Sequence, residues 1–80
     1  MNRTEILDLM NMVMKKRGRE PLSDESQSTR EAGFRSLDFS EVALRIEMKV
    51  GRELSFDAAS MRRIETVKDV IDFFEDVTKV

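Results

Sequence analysis

Apolar side chains recur at helical spacing in three stretches of this chain, and each stretch predicts an amphipathic helix. We expect the first helix from Thr4, a partial N-cap, to about Lys16, the second from about Leu37 to Val50, and the third from Thr66 onward. Gly51 is a typical C-terminal stop for the second, and Thr66 with Asp69 makes a capping box for the third. The three apolar faces comprise Ile6, Leu7, Met10, Val13 and Met14; Phe39, Val42, Ala43, Ile46 and Val50; and Val67, Val70, Ile71, Phe74 and Val77.

The helical pattern stops between Arg19 and Arg35, which predicts a loop of roughly 17 residues. Leu22 and Phe34 are its isolated large apolar residues, and we expect them to anchor the loop to the core. Short helical turns are predicted near residues 26–32 and in the stretch DAASMRR. The pattern as a whole predicts an all-α protein, a small three-to-four-helix bundle with a long first loop.

Composition narrows the possible functions. The chain has 80 residues, which suits a single domain over residues 1–80, and it contains neither Cys nor His. Disulfides, a thiol nucleophile, a histidine base and the usual zinc sites are thereby excluded, so we expect neither an enzyme nor a metal protein. A net charge of −2 without a basic face disfavours nucleic-acid binding. No apolar run approaches a membrane span and no secretory signal opens the chain, so a cytoplasmic protein is expected.

Ser36 lies where the long loop meets the second helix. Free backbone N–H groups and the positive end of the helix dipole favour a phosphate at such a junction. A serine hydroxyl there is a suitable acceptor for a phosphate-linked prosthetic group. The alternative role is an ordinary N-cap, which is common for serine.

The stretch GFRSLDFSEVALRIEMKVGRELSF, followed by IETVKDVIDFF, resembles the acyl carrier protein family from about Ala32 to Phe74. Gly33, Ser36 and Leu37 match the Gly-x-Asp-Ser-Leu segment with which that family opens its second helix. The other matching positions are the acidic Asp38 and Glu41, the apolar series Val42, Ile46, Val50 and Leu54, and the entry to the last helix at Ile64, Thr66 and Val67.

The resemblance implies an acyl-carrier-protein-like fold and a carrier function. In this family the motif serine carries 4′-phosphopantetheine, transferred from coenzyme A, and the thiol of that arm holds an acyl group as a thioester. Ser36 would be the attachment point, with Arg35 and Leu37 beside it. The implied partners are a phosphopantetheinyl transferase and acyl-loading and acyl-processing enzymes of fatty acid or secondary metabolite biosynthesis, and the protein is expected to be a monomer.

Arg35 stands where the family usually has Asp, a residue that the transferase normally recognises. Arg35 could instead pair with the phosphodiester, or select a dedicated transferase that has an acidic surface. The second helix also mixes acidic and basic residues where the family is strongly acidic, which favours a specialised carrier. The alternative function is an acyl-carrier-like protein–protein interaction module that is not modified.

Two surfaces are predicted from the resemblance and the helical spacing. The exposed side of the second helix is expected to dock partners through Asp38, Ser40, Glu41, Leu44, Glu47 and Met48. Leu44 and Met48 are four residues apart and apolar, so they could equally pack against the loop. The interior between the second and third helices is expected to sequester an acyl chain, with Leu37, Val42, Ile46, Leu54, Met61, Ile64 and Val67 as its lining.

Overall fold

The computed structural model describes residues 1–79 as a small all-α bundle, as predicted. Its helices are α1 (Arg3–Lys16), α2 (Thr29–Ala32), α3 (Ser36–Val50), α4 (Ala58–Arg62) and α5 (Val67–Val77). The three long helices match the three amphipathic stretches, and α2 and α4 are the two predicted short turns. No helix within residues 1–79 combines the length and the apolar character that crossing a membrane requires.

The N-cap of helix α1 lies two residues earlier than expected, so Thr4 is not its cap. The N-cap is Asn2, whose side chain accepts the backbone N–H of Glu5, while Glu5 Oε1 accepts the backbone N–H of Asn2 at 3.1 Å. This reciprocal capping box binds two of the free donors at the helix start, whereas Thr4 has no glutamate at the matching position. Leu9, which the predicted apolar face omitted, is buried, and Leu7 is only partly buried.

The core lies where α1 packs against α3 and α5. Phe39 of α3 stacks on Phe74 of α5 with ring centroids 4.8 Å apart, and Phe56 and Phe73 lie within 5.5 Å of Phe39. This aromatic cluster holds the start of α3 against the last helix. The buried apolar residues are Ile6, Leu9, Met10, Val13, Met14, Leu22, Phe34, Phe39, Val42, Ala43, Ile46, Val67, Val70, Ile71 and Phe74.

The long segment between α1 and α2 is fastened at both of the predicted points, since Leu22 and Phe34 are buried. Asn11 of α1 accepts the Leu22 backbone N–H through Oδ1 at 2.6 Å and donates from Nδ2 to the Leu22 carbonyl at 3.4 Å. The Asn11 amide thereby satisfies both backbone hydrogen-bonding groups of Leu22. The loop is thereby held against α1.

The same loop covers the N-terminus of α5. The backbone N–H of Val67 donates to the Gln27 carbonyl at 2.9 Å, and that of Lys68 donates to the Glu25 carbonyl at 2.8 Å. These are donors that a helix cannot satisfy internally. The loop thus fixes the position of α2 relative to α5, and α2 leads directly into the start of α3.

Candidate attachment site at the start of helix α3

Ser36 is the first residue of α3 and is exposed. The N-cap position belongs to Arg35, so the interpretation of Ser36 as an ordinary N-cap is wrong. The hydroxyl makes no hydrogen bond to any residue in the range 1–79, and it stands beside the free N–H groups of the first helical turn. The site therefore presents an accessible hydroxyl at the positive end of a fifteen-residue helix.

The turn that leads into Ser36 is fixed by the left-handed backbone of Gly33 and by the buried side chain of Phe34. Gly33 has φ of 81°, a conformation that favours glycine, and Phe34 is buried and donates its backbone N–H to the Thr29 carbonyl at 2.9 Å. The Arg19 guanidinium hydrogen-bonds the Gly33 carbonyl, and the Arg19 Cδ lies 3.5 Å from where a Cβ on Gly33 would stand. The backbone that leads into Ser36 is therefore fixed by contacts with α2 and with Arg19.

Asp38 is not the exposed docking residue that the sequence predicted, because its side chain is only 1% exposed. Its Oδ2 accepts the Arg35 backbone N–H at 2.7 Å and the Arg19 Nη1 at 2.6 Å, and its Oδ1 lies 2.6 Å from the Arg17 Nε. One carboxylate thus closes the start of α3 and ties it to the segment after α1. Packing of α1 against α3 buries Asp38 between two arginines, and no partner can reach it.

Glu41 is also engaged within the protein. Its carboxylate oxygens lie 3.1–3.3 Å from cationic nitrogens of Lys16, Arg17 and Arg45. Burial raises its pKa, but the hydrogen bonds from Arg45 and Lys16 outweigh that effect, so the net pKa is lowered. Glu41 is therefore ionised and surrounded by positive charge, and it offers little free acidic surface.

An open pocket of about 530 Å³ adjoins Ser36. Phe39, Met61, Ile64 and Val70 supply its apolar side, between the start of α3, α4 and α5. The polar residues around it are Thr29, Arg30, Arg35 and Ser36, and Phe34 completes the lining. The lining is thus divided about evenly between polar and apolar side chains, and the pocket is open to solvent.

The pocket uses only part of the predicted acyl-cavity lining. Met61 and Ile64 border it as expected. Val42, Ile46 and Val67 are instead fully buried in the core, and Leu54 is half-buried against that core. Leu37 does not face the interior, since it is 71% exposed. Helical spacing placed Val42 and Ile46 on the correct face, but close packing leaves no space beside them.

On the predicted docking side of α3, some side chains are exposed and others are bound to groups within the protein. Leu44 is 60% exposed and Met48 is 84% exposed, so neither packs against the loop, and Ser40 is exposed as well. Glu47 is half-buried and accepts the Leu54 backbone N–H at 2.8 Å. The free surface of α3 is thus more apolar and less acidic than the sequence predicted.

Sequence reasoning missed four residues of the site. Arg17 and Arg19 were not predicted to belong to the site, whereas both bind Asp38. Thr29 and Arg30 come from the short helix α2, and no local pattern connects them to a pocket that α4 and α5 complete. Among residues 1–79, no group of three or more His, Cys, Asp or Glu side chains is arranged to hold a metal ion.

Comparisons with models of protein families, with curated proteins and with solved structures found no match. The residues of the site are therefore the basis for assigning a function.

Proposed function

We propose that this protein is an acyl carrier whose Ser36 bears a 4′-phosphopantetheine arm. A transferase would move the phosphopantetheine of coenzyme A to the Ser36 hydroxyl, forming a new phosphodiester and releasing adenosine 3′,5′-bisphosphate. The terminal thiol of the arm would then hold an acyl group as a thioester for loading and processing enzymes. The protein itself transports the acyl group and catalyses no step, and we expect it to act as a cytoplasmic monomer.

The observation that carries this proposal is the free hydroxyl of Ser36 beside the pocket. Serine often caps a helix from the N-cap position, but here Arg35 holds that position and Ser36 is the first helical residue. The Ser36 hydroxyl makes no hydrogen bond within residues 1–79 and is exposed to solvent. The match of Gly33, Ser36 and Leu37 to the carrier motif supports the same function.

Charge at the site favours a phosphodiester on Ser36. Arg35 is exposed and directly precedes the serine, and Arg30 lines the same pocket. Guanidinium groups bind phosphate oxygens through paired N–H donors, and the N-terminus of α3 adds its own partial positive charge. The pocket beyond them has an apolar side that suits the start of an acyl chain.

Intact-mass measurement tests the proposal. The full chain is incubated with coenzyme A, magnesium and each of several broad-specificity phosphopantetheinyl transferases, and we expect a gain equal to one phosphopantetheine. Ser36→Ala should abolish the gain. Ser40→Ala is the matched control, because Ser40 is an exposed serine one turn further along α3, and it should be modified like the wild type.

Absence of any mass gain with all transferases would refute the carrier function. A gain that persists in Ser36→Ala would refute the site but leave modification in place.

A second candidate function, an interaction module that is never modified, is favoured by two observations. Arg35 replaces the acidic residue that a transferase reads in the family that this chain resembles, and Asp38 is sequestered. Such a module would bind its partners equally well as Ser36→Ala. The mass measurement above separates the two functions directly.

A further inference from the structure

An exposed apolar row runs along α3 and continues onto α1. Leu37, Leu44 and Met48 are spaced by seven and four residues, so they share one side of α3 over about 16 Å. Met12 of α1 is half exposed, and its Sδ lies 3.3 Å from the Nη1 of Arg45 on α3. We call these four residues the α1–α3 face. Exposed apolar groups that cluster in this way mark interaction surfaces.

The edge of the α1–α3 face carries excess positive charge. Arg45 and Lys49 lie one turn apart on α3, and Lys15 follows Met12 by one turn on α1. The charged residues of this edge are six cations, Lys15, Lys16, Arg17, Arg19, Arg45 and Lys49, and three carboxylates, Asp8, Asp38 and Glu41. Six cations against three carboxylates leave an excess of three positive charges, and Lys15 and Lys49 are the two cations outside the ion pairs with Asp38 and Glu41.

The opposite flank of the apolar row carries one carboxylate, that of Glu47, which is half-buried. Ser40 is uncharged, and the Glu47 carboxylate is turned toward the Leu54 backbone N–H, which it accepts at 2.8 Å. The surface of α3 therefore consists of an apolar row with a positive border on its α1 side. Charge complementarity requires acidic groups opposite that border.

We propose that the α1–α3 face binds a partner protein through a segment that presents apolar side chains flanked by carboxylates. This inference does not rest on the modification of Ser36, and it reverses the charge relation that the family resemblance implies, in which partners are basic. The ion pairs with Asp38 and Glu41 hold Arg17 and Arg45 in fixed positions, which suits carboxylates at fixed positions on a protein better than mobile lipid headgroups.

Two synthetic helical peptides serve as probes. They share one length and one leucine face, and their polar positions are all glutamate in the first and all lysine in the second. Each is titrated into the isotope-labelled full chain with Ser36 unmodified, and backbone NMR shifts are followed. We expect the acidic peptide to bind at least about tenfold more tightly than the basic one, with the largest shifts on the α1–α3 face and weaker binding at high salt.

Two paired variants and a control locate the site. Lys15→Glu with Lys49→Glu should weaken binding of the acidic peptide about tenfold, and Leu44→Gln with Met48→Gln should weaken it comparably. Lys15 and Lys49 make no ion pair within residues 1–79, so their reversal breaks none, and circular dichroism checks that both helices stay folded. The control, Arg62→Glu with Arg63→Glu, has the same change in net charge at the end of α4 and should stay within about twofold of wild type.

The proposal is overturned if the acidic peptide shows no saturable binding, if both peptides bind equally, or if the Lys15 and Lys49 reversal behaves like the control. Tight binding to vesicles of anionic lipid that is lost in the same variants would assign the face to a membrane instead. A concentration-dependent dimer that is lost in the Leu44 and Met48 variant would assign it to a second copy of the chain. Either result would reject a partner protein.

Discussion

Asp38 determines how the start of α3 is held. Its carboxylate accepts the Arg35 backbone N–H and forms ion pairs with Arg17 and Arg19, and it is almost inaccessible to solvent. A buried carboxylate contributes to stability only when its partners are in place, and here both arginines remain about one-third exposed. Loss of the charge therefore leaves two cations that water can partly hydrate.

We expect Asp38→Asn to lower the free energy of unfolding by about 2 kcal/mol, less than for a fully buried pair because the arginines stay partly hydrated. Urea denaturation measures this change. Asp76→Asn, at an exposed position of α5, is the matched control and should be near neutral. Equal stability of the two variants would show that the Asp38 contacts contribute nothing.

Arg35 sets the charge next to the proposed attachment point. Its side chain is exposed and caps no N–H group, so a substitution there leaves the contacts of Asp38 with the backbone in place. If transferases of the usual kind read an acidic residue at this position, Arg35→Asp should raise the initial rate of Ser36 modification about tenfold. Intact mass against time gives the rate. Lys79→Asp has the same change in net charge and should leave the rate unchanged, and a similar rise in both variants would rule out a local effect.

At the scale of elements, the ends of the helices depend on carboxylates. In α5 the side chain of Thr66 accepts the Asp69 N–H at 3.2 Å, and Asp69 Oδ2 accepts the N–H groups of Glu65 and Thr66, each at 3.0 Å. These backbone hydrogen bonds lower the pKa of Asp69. Hydrogen bonds from Lys68 and then Arg3 lower the pKa of Asp72. Both acids therefore bind protons less readily in the folded chain.

The stability contributed by these acids is complete above their unfolded pKa and is lost as pH falls through the lower folded value. We expect the melting temperature to be level above pH ~5 and to drop below pH ~4. Asp69→Asn should be less stable at neutral pH and should lose part of the acid-dependent drop. Thermal unfolding followed by circular dichroism across this range measures both. An unchanged pH profile in Asp69→Asn would contradict the assignment.

The helices were predictable because burial in this protein follows the local period closely. The capping box of α5 and the glycine stop of α3 were also visible in single short stretches. The start of α1 was predicted at Thr4, although Asn2 and Glu5 already had the capping-box spacing that the structure uses. That signal was in the sequence and was not recognised.

The burial of Asp38 was not predictable in the same way. Its two partners come from the end of α1 and the loop beyond it, about twenty residues earlier in the chain. Their meeting with Asp38 depends on the packing of α1 against α3 and on the path of the loop, which no local pattern specifies. The pocket is a similar case, since α2, α3, α4 and α5 each supply part of its lining.

For the whole molecule, Phe39 joins the core to the candidate site. Its ring contacts three other phenylalanines and also borders the pocket beside Ser36. We expect Phe39→Leu to lower the free energy of unfolding by about 1–2 kcal/mol through lost packing and lost ring contacts. Phe56→Leu, at a half-buried position of the same cluster, should cost less. Urea denaturation of both variants checks this order, and a larger loss at Phe56 would contradict it.

The central proposal is that the exposed Ser36 hydroxyl, which makes no hydrogen bond within residues 1–79, carries a phosphate-linked arm. The most direct test is peptide-level mass spectrometry of the full chain after reaction with coenzyme A and a transferase. The predicted result is a single phosphopantetheine on the peptide that contains Ser36, with fragmentation placing it on Ser36 and leaving Ser40 unmodified. Attachment to any other residue, or no attachment with any transferase tried, would contradict the claim.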